Sequence, residues 1–284
     1  MNKIVLITGV TGAIGGATAL EVARTGATVV LFGRNRKRVE NLKKGIVRMS
    51  GSNNIDILIA DLSDLASVKK AANEFKLKYN RLDVLLNIAA VYKNKRVVTK
   101  DNLELMFATN HLGPFVLTNE LLDVLKSGKT ARIITLTAPS TTEIKFDDLQ
   151  GEKKFSSLKA FGASKTMNLL FTYALARRLT GTGVSATAFL PGITRSNMIR
   201  ERPPFIKFFL RLIAAKPERA AAMLRHIAID QKYQNANGKF YKFNGKEIRS
   251  SSYSHNIDNQ EHLWKRSELL VKQLIKEEEL IEVY

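Results

Sequence analysis

Three glycines at regular spacing, Gly9, Gly12 and Gly15, stand in the stretch Thr8-Gly9-Val10-Thr11-Gly12-Ala13-Ile14-Gly15-Gly16. Without side chains there, the backbone can approach a diphosphate closely. A helix opening at that point would hold the anion with its free N–H groups and dipole, with Thr11 and Ile14 in the same turn. The spacing is Gly-x-x-Gly-x-x-Gly rather than Gly-x-Gly-x-x-Gly, and alone it describes a tight turn as well as a cofactor site. The next cluster is Gly33-Arg34-Asn35-Arg36-Lys37-Arg38. An NAD-binding protein carries an acidic residue near this point for the ribose 2′-hydroxyl. Gly33 instead leaves room and Arg34 offers a planar donor fork, which favours a 2′-phosphate. These cations could be a solvated helix start, but they oppose the dipole of the helix they open, so a specific anion explains them better. NADP(H) is therefore the expected cofactor.

The elements that would position these residues are legible as short β-branched runs at 4–8, 27–32, 55–60, 84–88, 132–137 and 184–189, separated by amphipathic stretches. Such alternation implies βαβ units and a Rossmann-type, doubly wound parallel sheet with helices on both faces, an α/β fold. No internal repeat or low-complexity linker interrupts it, so residues 1–284 read as one domain. Beyond Pro191-Gly192 the pattern changes: a basic amphipathic stretch, a last short strand at 238–243, and a closing helix near 260–276 within an end segment, 260–284, whose tail is acidic. Asp61-Leu62 and Asn87-Ile88-Ala89 follow the third and fourth strands, where open α/β sheets bind ligands.

These motifs, with Asn110-His111-Leu112-Gly113, Asp147-Asp148-Leu149, Ser164-Lys165, Pro191-Gly192 and Leu263-Trp264, make the chain resemble the short-chain dehydrogenase/reductase family, closest to its retinol-dehydrogenase-like branch. The resemblance covers nearly the whole chain. It implies that Asp61 contacts adenine, that Asn87 serves the adenosine side, and that Ser196 helps place the nicotinamide end. It also implies that residues 195–230 form a lid over the substrate.

The same resemblance exposes a departure. The family pattern has Tyr-x-x-x-Lys on one helix, a Ser after the fifth strand and an Asn on the preceding helix. Tyrosine exchanges the substrate proton, lysine lowers its pKa and bonds the ribose, and serine polarises the carbonyl oxygen. Here the helix reads Phe161-Gly162-Ala163-Ser164-Lys165, and the serine position falls on Ala138. Asn110 and Lys165 remain, but both donors to the substrate oxygen are absent. Loss of the acid commonly costs roughly 10²- to 10⁴-fold. Loss of one oxyanion donor costs roughly 3 kcal/mol. Replacement hydroxyls could come from Thr137, Ser140 or Tyr92, the last better read as a wall of the substrate pocket.

The chain has no cysteine, which excludes a disulfide scaffold, thiolate zinc and a cysteine nucleophile; its four histidines lack metal-ligand spacing, so no metal is expected. No apolar run reaches the roughly 20 residues of a membrane span, and a soluble, cytoplasmic protein is expected. The net charge of +19 understates the basicity of the body, because residues 268–284 carry five Glu against two Lys. Part of that charge lies at Arg200, Arg202, Lys207, Arg211, Lys216, Arg219 and Arg225, interleaved with apolar residues. A lid is preferred there over an anchor, although peripheral membrane contact stays open. Nothing matches a reading helix or an aromatic RNA platform, so nucleic acid is disfavoured. The expected partner is a hydrophobic small molecule, and both monomer and homodimer are compatible with the resemblance. Three functions follow: an atypical NADP(H) oxidoreductase working without the Tyr/Ser pair, a redox-neutral cyclase, isomerase or dehydratase, and a non-catalytic NADP-binding sensor.

Overall fold

The computed structural model describes residues 2–138, 141–192 and 215–281. Seven strands form one parallel sheet in the order β3-β2-β1-β4-β5-β6-β7. They are β1 (Ile4–Thr8), β2 (Thr28–Gly33), β3 (Ile55–Ile59), β4 (Val84–Asn87), β5 (Arg132–Leu136), β6 (Ser185–Leu190) and β7 (Lys239–Lys242). The chain winds outward from β1 through β2 to β3, then returns to place β4 on the other side of β1. The direction of winding reverses between β1 and β4, which pair in parallel, and this opens a crevice at the carboxyl ends of those two strands.

Side-chain alternation divides the sheet between two cores. Leu6, Leu85 and Ile133 face α3 (Leu65–Lys78), α5 (Gly113–Glu120) and α7 (Ser157–Arg178), with the short helices α4 (Leu105–Phe107) and α6 (Leu122–Lys126) flanking α5 in the chain. Their neighbours Val5, Ile7, Val84, Leu86 and Ile134 face α1 (Ala13–Ala23), α2 (Arg36–Ser50) and the helix Pro217–Ile229. Every one of these strand residues is essentially inaccessible to water. Strands buried on both faces account for the unbroken apolar runs in the sequence.

The helix Pro217–Ile229 corrects the expected extent of the lid. Ala220, Leu224, Ile227 and Ala228 are buried in the same core as Ala19, Val22 and Ala23 of α1. Small residues on both helices allow this approach, so this portion of 195–230 packs beside α1 over the sheet. Of the basic residues in that stretch, Arg219 lies over the Phe243 ring at 4.5 Å and Arg225 pairs with Asp230 at 3.2 Å. Residues 195–214 of the expected lid, with Ser196, lie outside the described residues.

The closing helix, Ile257–Ile281, begins earlier and runs further than its apolar pattern indicated. Trp264 is wedged against Phe115 and Phe171 at ring separations of 5.1 and 5.7 Å, and the Arg178 guanidinium covers its outer face at 4.0 Å. Glu261 is bonded by both Arg177 and Arg178, which hold its carboxyl down to about 2. Among the described residues no helix is long and apolar enough to cross a membrane.

Candidate active site

A cleft of about 530 Å³ opens at the reversal point between β1 and β4. Its floor is fixed by the Thr8 hydroxyl, which accepts from the amides of Ile88 and Ala89 at 3.0 and 3.2 Å and so ties the two strand ends together. The first turn of the glycine stretch is sterically closed. Gly9 has φ +70°, and a Cβ there would lie 2.7 Å from the Ala89 Cα. A Cβ on Gly15 would lie 2.3 Å from the Gly9 carbonyl oxygen. Helix α1 therefore starts tightly against the strand, with Gly12 as its N-cap, no side-chain cap and no acidic residue in the first turn. This leaves an uncapped, positively polarised helix end facing the cleft. Gly9, Thr11, Gly12, Ile14 and Gly15 all line it.

At one end the cleft is cationic. Arg34 and Arg38 line it beside Gly33, with Asp61 and Leu62 across from them. The Arg34 guanidinium stands 3.6 Å from the Asp61 carboxylate, and with 65% of its side chain exposed it remains reachable by a ligand. Asn35 does not line the cleft. Its side chain caps α2 by accepting from the Arg38 amide at 3.0 Å, which fixes the direction of the Arg38 helix turn. Asn87 also lies behind the wall, because its amide donates to the Thr118 hydroxyl of α5 at 3.1 Å. Its own Oδ1 and the Thr109 Oγ1 are buried without partners among the described residues, and Thr109 lines the cleft.

At the other end α7 carries Phe161 and Lys165 one turn apart, both facing the cleft together with Ala138 and Ala89. The Lys165 ammonium sits 5.4 Å from the centre of the Phe161 ring. Among the described residues it has neither a hydrogen bond nor an ion pair, and burial alone pushes its pKa down to about 8. Tyr92 meets Phe161 edge-on at 5.6 Å and donates to the Ser157 hydroxyl at 3.1 Å. The Thr137 hydroxyl donates to the Lys165 carbonyl at 2.7 Å, so its proton is committed to the backbone of α7. Ser140 lies outside the described residues.

Asn110 acts as a bracket behind this end. It sits in a π-helical turn, Ala108–Leu112, between α4 (Leu105–Phe107) and α5. Its Oδ1 accepts from the Val91 amide at 2.7 Å, and its Nδ2 donates to the Val91 carbonyl and the Ser164 hydroxyl, both at 3.0 Å. All its bonding capacity through Nδ2 goes to the protein, so its side chain ties the segment after β4 to α7 and has no free proton to offer. Single π turns of this kind often mark functional sites.

His111, next in that turn, is wholly buried among Phe107, Phe115 and Phe171. Ser267 donates to the Leu263 carbonyl, so its oxygen accepts from the His111 Nε2–H at 2.8 Å and links the bracket to the closing helix. Desolvation lowers the histidine pKa from 6.5 to about 3. The unfolded chain then binds the proton that the folded one refuses. Stability is intact above pH 6.5 and declines by about 1.4 kcal/mol per pH unit as pH falls from there toward 3. Replacing His111 with Gln, which keeps a donor for Ser267, should flatten the melting-temperature profile between pH 6.5 and 5; an unchanged slope would remove His111 as its cause.

Pro191 and Gly192 complete the cleft wall. Thr8, Arg38, Val91 and Thr109 were not singled out by motif, although Arg38 belonged to the cationic cluster and Thr109 adjoins Asn110. Among the described residues no three His, Asp or Glu side chains are placed to share a metal.

Sheet order, glycine turn and cleft together define a dinucleotide-binding α/β protein. A family model described as short chain dehydrogenase matches residues 3–206. Mouse retinol dehydrogenase 12 is 36% identical over 93% of this chain and 84% of its own length, and human polyprenol dehydrogenase is 31% identical over 94% and 84%. A crystal structure of an uncharacterized protein from Mycobacterium paratuberculosis superposes with a TM-score of 0.79 at 29% identity, over 95% of this chain and 93% of that one. The chain belongs to the short-chain dehydrogenase/reductase family, in its retinol-dehydrogenase-like branch, a family of oxidoreductases that bind a nicotinamide dinucleotide.

Proposed function

We propose that the chain is an NADP(H)-dependent oxidoreductase acting on an apolar small molecule by a mechanism that lacks the Tyr/Ser pair. One observation carries this reading: the glycine turn, Arg34, Arg38 and Lys165 line one cleft together with Phe161 and Ala138, which we assign to the family's two hydroxyl positions. When bound, the cofactor supplies a hydride from its nicotinamide ring. The uncapped start of α1 would hold the diphosphate, Arg34 and Arg38 would hold the 2′-phosphate, and Lys165 would hold the ribose hydroxyls. Names of relatives that refer to retinol and polyprenol support an apolar substrate. So do the Phe161, Tyr92, Val91 and Leu190 walls.

Without a phenol at position 161, proton transfer to the product would fall to water, or to the neighbouring Tyr92 hydroxyl once it left its bond to Ser157. Acceptors that need little acid assistance, such as an iminium or an activated double bond, fit this site best. The replacement of both hydroxyls by apolar groups also favours a second reading, redox-neutral chemistry on the same scaffold. NADPH oxidation against a panel of apolar enones, imines and aldehydes separates the two, because product formed without loss of NADPH absorbance contradicts the first.

The cofactor preference has its own test. Arg34→Ala should weaken NADPH about 10- to 100-fold, the value of a charge-assisted hydrogen bond of roughly 1.5–3 kcal/mol, while leaving NADH nearly unchanged. Equal losses for both nucleotides in calorimetry would place the 2′-phosphate elsewhere.

A further inference from the structure

Among the described residues Lys165 is an amine without a hydrogen-bonding partner, at the apolar end of the cleft. It is only 5% exposed, its ammonium stands 5.4 Å from the centre of the Phe161 ring, and it nevertheless lines the open cavity. A tyrosine hydroxyl at position 161 would give this nitrogen a polar neighbour, and phenylalanine gives it none. Around it stand Tyr92, Phe161, Val91, Leu136, Ala138 and Leu190, a wall suited to a hydrocarbon chain or ring.

We propose that Lys165 captures apolar aldehydes covalently, as a reversible imine, in the nucleotide-free protein. The Nζ lone pair forms a C–N bond to the carbonyl carbon as the C=O π bond breaks. One amine proton passes to the oxygen to give a carbinolamine; its C–O bond then breaks, the hydroxyl leaves as water with the second amine proton, and the nitrogen lone pair closes the C=N bond. Nothing is oxidised or reduced, and hydrolysis restores both partners. Imine-forming lysines in general are activated by desolvation in hydrophobic surroundings, and this one is almost wholly buried at the cleft wall.

The charged neighbours leave that activation in place. The other titratable groups lining the cleft are Tyr92 beside Phe161, and Arg34, Arg38 and Asp61 at its far, cationic end. His111, on the π turn that contacts α7, directs its Nε2 to Ser267. With a pKa near 8, roughly a tenth of Lys165 is free amine at pH 7, against well under a thousandth of an ordinary lysine at 10.5. The proposal does not depend on the cofactor reading, because capture is measured without nucleotide.

The experiment incubates the full, nucleotide-free chain with decanal and sodium cyanoborohydride, which fixes imines as secondary amines, from pH 6.5 to 9.5, and maps modified lysines by peptide mass. The expected result is modification of Lys165 at pH 7 about ten-fold or more faster than any other lysine, rising with an apparent pKa near 8. The fast phase should vanish in Lys165→Arg, which keeps the cation, and slow in Phe161→Tyr, which gives the amine a polar neighbour. Labelling spread over surface lysines with Lys165 no faster than the rest, or a fast phase that survives Lys165→Arg, overturns the proposal.

Discussion

Phe161→Tyr combined with Ala138→Ser should raise NADPH-dependent reduction of an apolar aldehyde by at least about 10²-fold, the lower range of what a positioned general acid contributes. The new phenol would stand one helical turn from Lys165, whose ammonium already lies 5.4 Å from the ring it would extend. Lys165 at about 8 is poised to lower the phenol's pKa through its charge. The serine would restore a donor to the carbonyl oxygen, and neither change alone should recover the full effect, because groups that act on one oxygen are not additive. The added atoms project into the cleft and not the core, so folding should be little changed. Steady-state NADPH oxidation at fixed aldehyde measures the gain. A double variant that folds, binds NADPH and stays inactive would show that the pocket, and not only its hydroxyls, has diverged from carbonyl reduction.

Gly15→Ala should destabilise the fold by about 3 kcal/mol, the upper end of the cost of overpacking, and abolish dinucleotide binding. Its new methyl would lie 2.3 Å from the Gly9 carbonyl oxygen and 3.0 Å from the Val10 Cα, both backbone atoms that cannot swing aside. Helix α1 would have to retreat from β1, which also disturbs its packing on the helix Pro217–Ile229. Gly16→Ala is the control, because its nearest neighbour would be the Val10 carbonyl oxygen at 3.1 Å and accommodation needs a shift of only tenths of an ångström. Thermal melts and NADPH fluorescence on both variants separate a local clash from a general intolerance of helix substitutions. Equal stability of the two would contradict the tight start of α1.

Much of this site was legible in the chain because its determinants are local. A glycine whose Cβ would strike the backbone, a strand with β-branched runs, and Phe161 and Lys165 four residues apart all reveal themselves at short range. The roles of Asn35, Asn87 and Asn110 were less legible. Each stands where a ligand contact is expected, yet the first caps α2, the second is turned to Thr118, and the third brackets Val91 and Ser164. A side-chain amide can serve a ligand or the backbone, and only its distant partners decide which. The same holds for residues 217–229, where an amphipathic pattern announces a buried face without saying that α1 covers it. Thr8 and Thr109 gave no signal, since single threonines at strand ends and in turns are common.

The most direct measurement is a calorimetric titration of the wild-type chain with NADPH, then with NADH. A site built from the glycine turn, Arg34, Arg38 and Lys165 should bind NADPH in the micromolar range and prefer it to NADH by about ten-fold or more, as one charge-assisted contact to the 2′-phosphate requires. No binding of either nucleotide below millimolar concentrations, or an equal affinity for both, would contradict the reading of this cleft as an NADP site.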